Sequence, residues 1–292
     1  MTALPGLDEV VLDALAHFAA TPVPAFRLPP ARRRLVVASG NALPTGRILF
    51  ADEPAVFASE GQYADALARD PGIDAAVVIS ASGTKHAPAL VRELETRGLR
   101  PSLVTCEPAS PAAALLPPER VMATTSRPEP ITYNTSTYMG MMLAKTGEDP
   151  GRIRRHILER VQPMLPDFAA FQAFYVMVPP AFEVMTPMFV TKFDELFGGR
   201  LAGRCYTTEQ TLHAKTVVPW DKELFIGLAC ENRDFGTARL AVALPEGAGF
   251  ATMMAVGYYV IGRIQAALPP WFKEHARAYA DVQRRLFAER EA

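Results

Sequence analysis

The chain is short of cysteine, of long apolar runs and of any excess of one charge. Its 292 residues include three cysteines, Cys106, Cys205 and Cys230. An odd count without metal-ligand spacing excludes a disulfide framework and a zinc cluster, so the three read as reduced core thiols of a cytoplasmic protein. The longest stretch without charge runs from Gly247 to Gly262 and ends at Arg263. It is shorter than the roughly 20 residues a membrane helix needs, so it is expected as a core helix and no membrane as partner. The opening MTALPGLDEVVLDAL carries acids and no basic run before an apolar core, so no signal peptide is expected. The formal net charge is −1, with basic and acidic residues interspersed. That leaves no basic stripe for nucleic acid, and Arg32-Arg33-Arg34 reads as the solvated beginning of a strand. The first strand-to-helix turn also lacks G-x-G-x-x-G, against a dinucleotide-binding domain.

What is present fits a globular protein with a substantial core: 49% apolar and 21% charged residues. Helical periodicity runs from Leu7 to Ala19, and the proline-containing TPVPAFRLPPA ends it. Short apolar runs of strand length follow at Leu35–Ala38, Ile48–Phe50, Ala75–Ile79 and Pro101–Thr105. The last two flank a helical stretch, Pro88 to Arg97, closed by Gly98. Strand, helix, glycine, strand is the pattern of a parallel sheet. A helix over Ser136–Lys145 closes this half. GEDPGRIRRHILERVQPMLPDF then reads as a linking helix. The order recurs with strands at 174–178, 204–206, 224–228 and 239–243 and helices at 187–197 and 253–267. The expected organisation is an N-terminal helical segment at 1–30, an α/β domain at 31–147, a linker at 148–168 and a second α/β domain with C-terminal helices at 169–292.

The run VVIS ends in an unusual density of small hydroxyl residues, Ser80, Ser82, Gly83, Thr84 and Lys85, before the next helix. Ligands of parallel sheets sit beyond the carboxyl ends of strands, where helix N-termini present free N–H groups. Hydroxyls and amides there can surround an anion, and Lys85 can add a charge. An ordinary helix cap is the other reading, but it needs one hydroxyl, not three.

The segment Ser80–Lys85 resembles the S-x-S-G-x-T signature of the sugar isomerase (SIS) domain family, with the threonine one place early. ASGNA, with Ser39 and Asn41, occupies the place of that family's first G-x-G-x-S loop. FASEGQY is similar to its A-S-E-F-x-Y segment. EPITYNTSTYMGMML is similar to its E-x-x-V-A-S-T-K helix start, placing Thr135, Ser136 and Thr137 near a phosphate. TKFDELF contains Lys192-x-x-Glu195, and His213 follows after an interval like that of double-SIS isomerases of the phosphoglucose/phosphomannose or glucosamine-6-phosphate synthase type.

The resemblance implies two flavodoxin-like α/β domains, each a parallel sheet flanked by helices. It makes Glu195 the base that moves a proton between C1 and C2, His213 the ring-opening group and Lys273 the counterpart of a C-terminal lysine. Ser39, Asn41, Ser80, Ser82, Gly83, Thr84, Lys85, Thr135, Ser136 and Thr137 become the phosphate-binding set. An enediol proton transfer is chemistry for a positioned carboxylate, and imidazole titrates in the range that ring opening needs. Read from the residues alone, Glu195 is equally a helix-surface partner of Lys192, and His213 a satisfied loop histidine. Glu209 is a rival carboxylate four residues before His213, and His275 lies beside Lys273. His17, His86 and His156 read as helix-surface residues.

The chain departs from the family in four places. Fifteen residues broken by Pro44, Gly46 and Pro54 separate ASGN from FASE, so the usual long first helix is shortened or lost. Asn41 and Ala42 replace a serine, no arginine lies in Tyr133–Tyr138, and His213 is followed by Ala214-Lys215 instead of Gly-Pro. The expectation is an aldose–ketose isomerase of a hexose 6-phosphate, with no metal or redox cofactor, assembled as a homodimer or homotetramer. A deglycase or amino-sugar phosphate isomerase, and a non-catalytic phosphosugar sensor, are the alternatives.

Overall fold

The computed structural model describes residues 4–214 and 217–291. In chain order the elements are α1 (Leu7–Ala20), β1 (Arg34–Val37), α2 (Ala42–Leu49), β2 (Ala55–Ala58), α3 (Tyr63–Arg69), β3 (Ala75–Ile79), α4 (Ala87–Thr96), β4 (Arg100–Thr105) and β5 (Val121–Ala123). Then follow α5 (Thr135–Thr146), α6 (Pro150–His156), β6 (Ala173–Val178), α7 (Thr186–Phe197), β7 (Ala202–Thr207), α8 (Thr208–Ala214), β8 (Glu223–Leu228), β9 (Ala238–Val242), α9 (Phe250–Ala267) and α10 (Trp271–Glu291). No helix among the described residues is long and apolar enough to cross a membrane.

The chain divides into two compact units. One is built chiefly on Pro22–Arg127 and Ser136–Gly147 and holds a five-stranded sheet of order β2-β1-β3-β4-β5. The other comprises the stretch ending at Thr21, Pro128–Thr135 and Glu148–Arg284, around a four-stranded sheet of order β7-β6-β8-β9. Every pairing in both sheets is parallel. Parallel strands covered on both faces read as continuous apolar runs, and β1, β3, β6 and β8 are buried along their whole length. The expected α/β class with two parallel sheets flanked by helices is what the chain forms.

Two sequence expectations need correction. Ile48-Leu49-Phe50 is no strand: it closes α2, and the Phe50 N–H donates to the Gly46 carbonyl at 3.1 Å. All three side chains are buried, and over three residues burial satisfies either period equally. The first helix is therefore shortened to eight residues rather than lost. Arg34 is not solvated either. It is 3% exposed, and its guanidinium donates to Glu53 at 2.5 Å and to the Pro29 carbonyl at 2.6 Å.

In the second unit the expected core helix is α9, whose residues from Ala251 to Ile264 are buried except Arg263. A helix apolar on every side must be covered on every side. Helix α1 lies so close that a Cβ on Gly262 would sit 2.1 Å from the Asp8 backbone nitrogen. The N-terminus of α9 leaves amides that need acceptors, and Glu148 supplies them. Its carboxylate accepts from the N–H groups of Gly249, Ala251 and Thr252 at 2.8, 2.9 and 3.0 Å, and from the Thr252 hydroxyl at 2.5 Å. A carboxylate there also answers the positive end of the helix dipole. Glu148→Ala strands these donors and should cost about 2–4 kcal/mol. Urea unfolding checks this, and a midpoint unchanged from wild type would contradict it.

Candidate functional site

In an open parallel sheet the crevice forms where neighbouring strands send their connections in opposite directions. In the five-stranded sheet that point lies between β1 and β3, because β2 flanks β1 on one side and β3 on the other. The loops leaving those two strands are Ser39-Gly40-Asn41 and Ser80–Lys85, so topology brings together two stretches of the phosphate-binding set. Ser39 is exposed and Asn41 half-buried, at a turn whose Gly40 has a positive φ of 55°.

The second loop is pinned from beneath. The Ala81 carbonyl accepts from the Cys106 N–H at 2.9 Å and the Thr105 hydroxyl at 3.1 Å, and the Gly83 carbonyl accepts from the Ala112 N–H at 3.1 Å. Ser80 Oγ accepts from the Gly83 N–H at 3.2 Å. Ser82 Oγ and Thr84 Oγ1 share a hydrogen bond of 2.7 Å. Gly83 and Lys85 both have positive φ, 59° and 53°. Such a left-handed turn lets successive amides converge on an anion. Ser82 and Lys85 are exposed and Ser80 and Thr84 half-buried.

Thr135, Ser136 and Thr137 form the first turn of α5 and are all buried. Ser136 Oγ accepts from the Arg127 N–H at 2.8 Å, and the Thr135 N–H donates to Glu129 at 2.6 Å. Thr135 Oγ1 is buried with no hydrogen-bond partner among the described residues.

Lys192 and Glu195 stand one turn apart on the second unit's helix α7 and do meet. Lys192 is completely buried, and its Nζ donates to Glu195 Oε2 at 2.5 Å and to the Thr132 carbonyl at 2.6 Å. The ring centroid of Tyr258 lies 5.3 Å from the same Nζ. Burial raises the Glu195 carboxyl above the ordinary carboxylate range, and the Lys192 charge pulls it part of the way back. Burial likewise lowers Lys192, with Glu195 opposing. Thr132 holds a backbone conformation costly for a β-branched residue, φ 73°, and its Oγ1 is buried without a hydrogen-bond partner among the described residues.

Glu195 opens onto a cavity of about 530 Å³, lined also by Thr132, Phe197, Arg200, Trp271 and His275. The Arg200 guanidinium sits 5.5 Å from the centroid of the Trp271 ring. His275 Nδ1 lies 2.7 Å from the Trp271 carbonyl. A carbonyl only accepts, so Nδ1 carries the proton and Nε2 is left for other chemistry.

His213 lies in the last turn of α8 and is exposed, with Glu209 exposed one turn earlier on the same face. Lys215, next to the departure from Gly-Pro, lies outside the described residues. Lys273 is half-buried on α10 and does not line the cavity; His275, two residues on, does. His86 is half-buried at the start of α4, beside the hydroxyl loop. Cys205 is buried, and burial pushes the Cys230 thiol up to about 11, so neither is a ready nucleophile at neutral pH. Sequence reasoning passed over Thr132, Arg200 and Trp271. Their one signal was nearness in sequence to Thr135, Glu195 and Lys273.

Compared with sequence-family profiles and with curated proteins, the chain matches none. Solved structures do match. Glucosamine-6-phosphate deaminase from Thermotoga maritima is 15% identical with a TM-score of 0.60, over 88% of this chain and 90% of that one. The C-terminal domain of glucosamine-fructose-6-phosphate aminotransferase from Francisella tularensis is 11% identical with a TM-score of 0.57, over 92% and 94%. Tagatose-6-phosphate ketose/aldose isomerase from Escherichia coli is 13% identical with a TM-score of 0.55, over 91% and 92%. At such identities the likeness is one of fold, and it spans nearly the whole of each chain. The fold expected from the resemblance to SIS isomerases is the fold observed.

A Cβ on Gly83 would lie 2.1 Å from Ser110 Oγ, at a φ that L side chains avoid. Gly83→Ala should therefore displace the hydroxyl loop and weaken inorganic phosphate binding by roughly tenfold, read by isothermal titration against wild type. Unchanged affinity would mean that the loop is no anion receptor.

Proposed function

We propose that the protein is a phosphosugar isomerase acting on a hexose 6-phosphate through an enediol. The observation that carries the reading is the Lys192–Glu195 pair. A carboxylate facing a cavity, with its proton affinity raised by burial, is suited to take and return a proton near neutral pH. The hydroxyl loop Ser80–Lys85, with Ser39 and Asn41, is the phosphate receptor in this proposal. The fold it shares with a tagatose-6-phosphate isomerase and with amino-sugar phosphate enzymes supports a phosphosugar substrate.

In the proposed reaction the Glu195 carboxylate removes the proton from C2 of the open-chain aldose. Electrons of that C–H bond form the C1–C2 double bond while the C1 carbonyl π pair moves to O1, which takes up a proton to give a cis-enediol; the protonated carboxyl then returns its proton to C1 as O2 gives up its proton and C2 becomes the ketose carbonyl. The Lys192 ammonium, held against Glu195, lessens the cost of forming the carboxylate in a buried place. His213 keeps the ring-opening role that the resemblance implies, and His275 adds a second imidazole on the cavity that Glu195 lines. Lys273 retains only the role the resemblance implies. The amino-sugar and deglycase alternatives use the same proton transfer with nitrogen at C1 or C2, and a sensor would bind without it.

Fructose 6-phosphate incubated with the protein in heavy water should gain deuterium at C1, and Glu195→Gln should lower that rate by about 10²–10⁴-fold. Tight binding with no exchange in wild type would leave a sensor and end the isomerase reading.

The reaction needs ionised Glu195, so the rate should rise with pH through a carboxyl pKa above the ordinary range. Lys192→Met removes the charge that holds this pKa down, so the acidic limb of kcat/KM should move to higher pH. A limb that stays in place or moves lower would dissociate Lys192 from Glu195.

A further inference from the structure

Every residue lining the cavity beside Glu195 belongs to the four-stranded unit: Thr132, the stretch Asp194–Arg200 and residues of α10 between Trp271 and Tyr279. At about 530 Å³ it has the size of a small-molecule site, and such sites are apolar with few polar groups. An apolar cavity of about 150 Å³ already holds a benzene ring, so this one admits a fused pair of rings. Its aromatic walls are braced from behind. Phe272 stacks on Tyr133 with ring centroids 5.0 Å apart, and Arg200 lies against Trp271.

The polar groups in these walls are mainly acceptors. Glu195 Oε2 is taken by Lys192, which leaves Oε1. His275 Nδ1 is committed to the Trp271 carbonyl, which leaves Nε2 to accept in the neutral ring. Thr132 Oγ1 is buried with no hydrogen-bond partner among the described residues, on a backbone whose φ of 73° persists only where its surroundings hold it. The charges cancel: Lys192 answers Glu195, and Asp194 and Arg200 line the cavity with opposite signs. Such walls suit a flat, neutral molecule that brings a donor.

We propose that the cavity is a site for a neutral, fused-ring aromatic ligand carrying an N–H or O–H donor, and that this ligand withholds Glu195 from proton transfer. Its rings belong among Phe197, Trp271 and Phe272, and its donor with Glu195 Oε1. It is neither a sugar nor a phosphate, and it stays within the one unit. The site stands on the cavity alone, whereas the control it exerts rests on the reading of Glu195 as the base. A carboxylate that already accepts from such a ligand is covered against C2 of the sugar.

Indole is the probe, and 1-methylindole, the same rings without the donor, is its control. In isothermal titration of the full chain indole should bind, and 1-methylindole should bind on the order of tenfold more weakly although it is the more apolar of the two. Ala276→Leu, which fills space, and Trp271→Ala, which removes wall, should each weaken indole by about tenfold. The comparison of the two indoles needs no variant, so it stands whether or not either variant folds. With wild type in heavy water, indole should slow deuterium gain by fructose 6-phosphate and raise the apparent KM. Failure of indole to bind, equal binding of the two indoles, or folded variants that bind indole as wild type does would each overturn the site. Indole bound with exchange undiminished overturns the control. Wild type that never exchanges deuterium defeats the isomerase reading and the control with it, while the titrations still decide the site.

Discussion

A fully buried lysine is the interaction on which the candidate chemistry depends. Taking an ammonium out of water costs several kcal/mol unless it is paired and hydrogen-bonded. Lys192 is held by the Glu195 carboxylate and the Thr132 carbonyl, with the Tyr258 ring beside it. The contacts bind as much as they stabilise. The same ammonium fixes the rotamer of a carboxylate, moderates its proton affinity and anchors a threonine in left-handed backbone geometry. Strain of that kind persists only where the surroundings over-determine it. Removing either charge would leave the other buried and unanswered, which is why an i,i+3 pair that would be worth little on a helix surface matters here.

The two units end their central strands and begin their helices differently. In the five-stranded unit, small hydroxyl residues at the crossover of β1 and β3 form a partly exposed loop whose hydroxyls bond one another and the loop's own amides. In the four-stranded unit, the N-terminus of the long helix α9 already holds the Glu148 carboxylate, with three amides and a hydroxyl on it. Related sheet plans thus carry one partly exposed hydroxyl loop and one helix N-terminus satisfied by a carboxylate of the chain itself. A free N-terminus above so apolar a helix would otherwise demand an acceptor from solvent or ligand.

Much of the fold was legible because parallel strands buried on both faces announce themselves as apolar runs. Ala75–Ile79, Phe174–Val178 and Leu224–Leu228 are of this kind, and glycine or proline marks the helix ends between them. Legibility failed where the run was too short to carry a period. Ile48–Phe50 proved to be the end of a helix, and β5, three residues long, left no readable signal. Arg34 misled for another reason: a cluster of arginines looks solvated until a partner such as Glu53, contributed by a later turn, is in place.

Residue order alone determined the α/β class, the hydroxyl-rich strand end and the spacing that stacks Lys192 over Glu195, since all three follow from local periodicity. Only the tertiary structure decided that this pair is buried, that it reaches Thr132, and that His275 rather than Lys273 shares a cavity with Glu195. Helix α10 turns one face toward α7, and which residues of a helix meet a distant wall depends on its rotation about its own axis. That rotation is set by packing between elements far apart in the chain, and no short window of sequence encodes it.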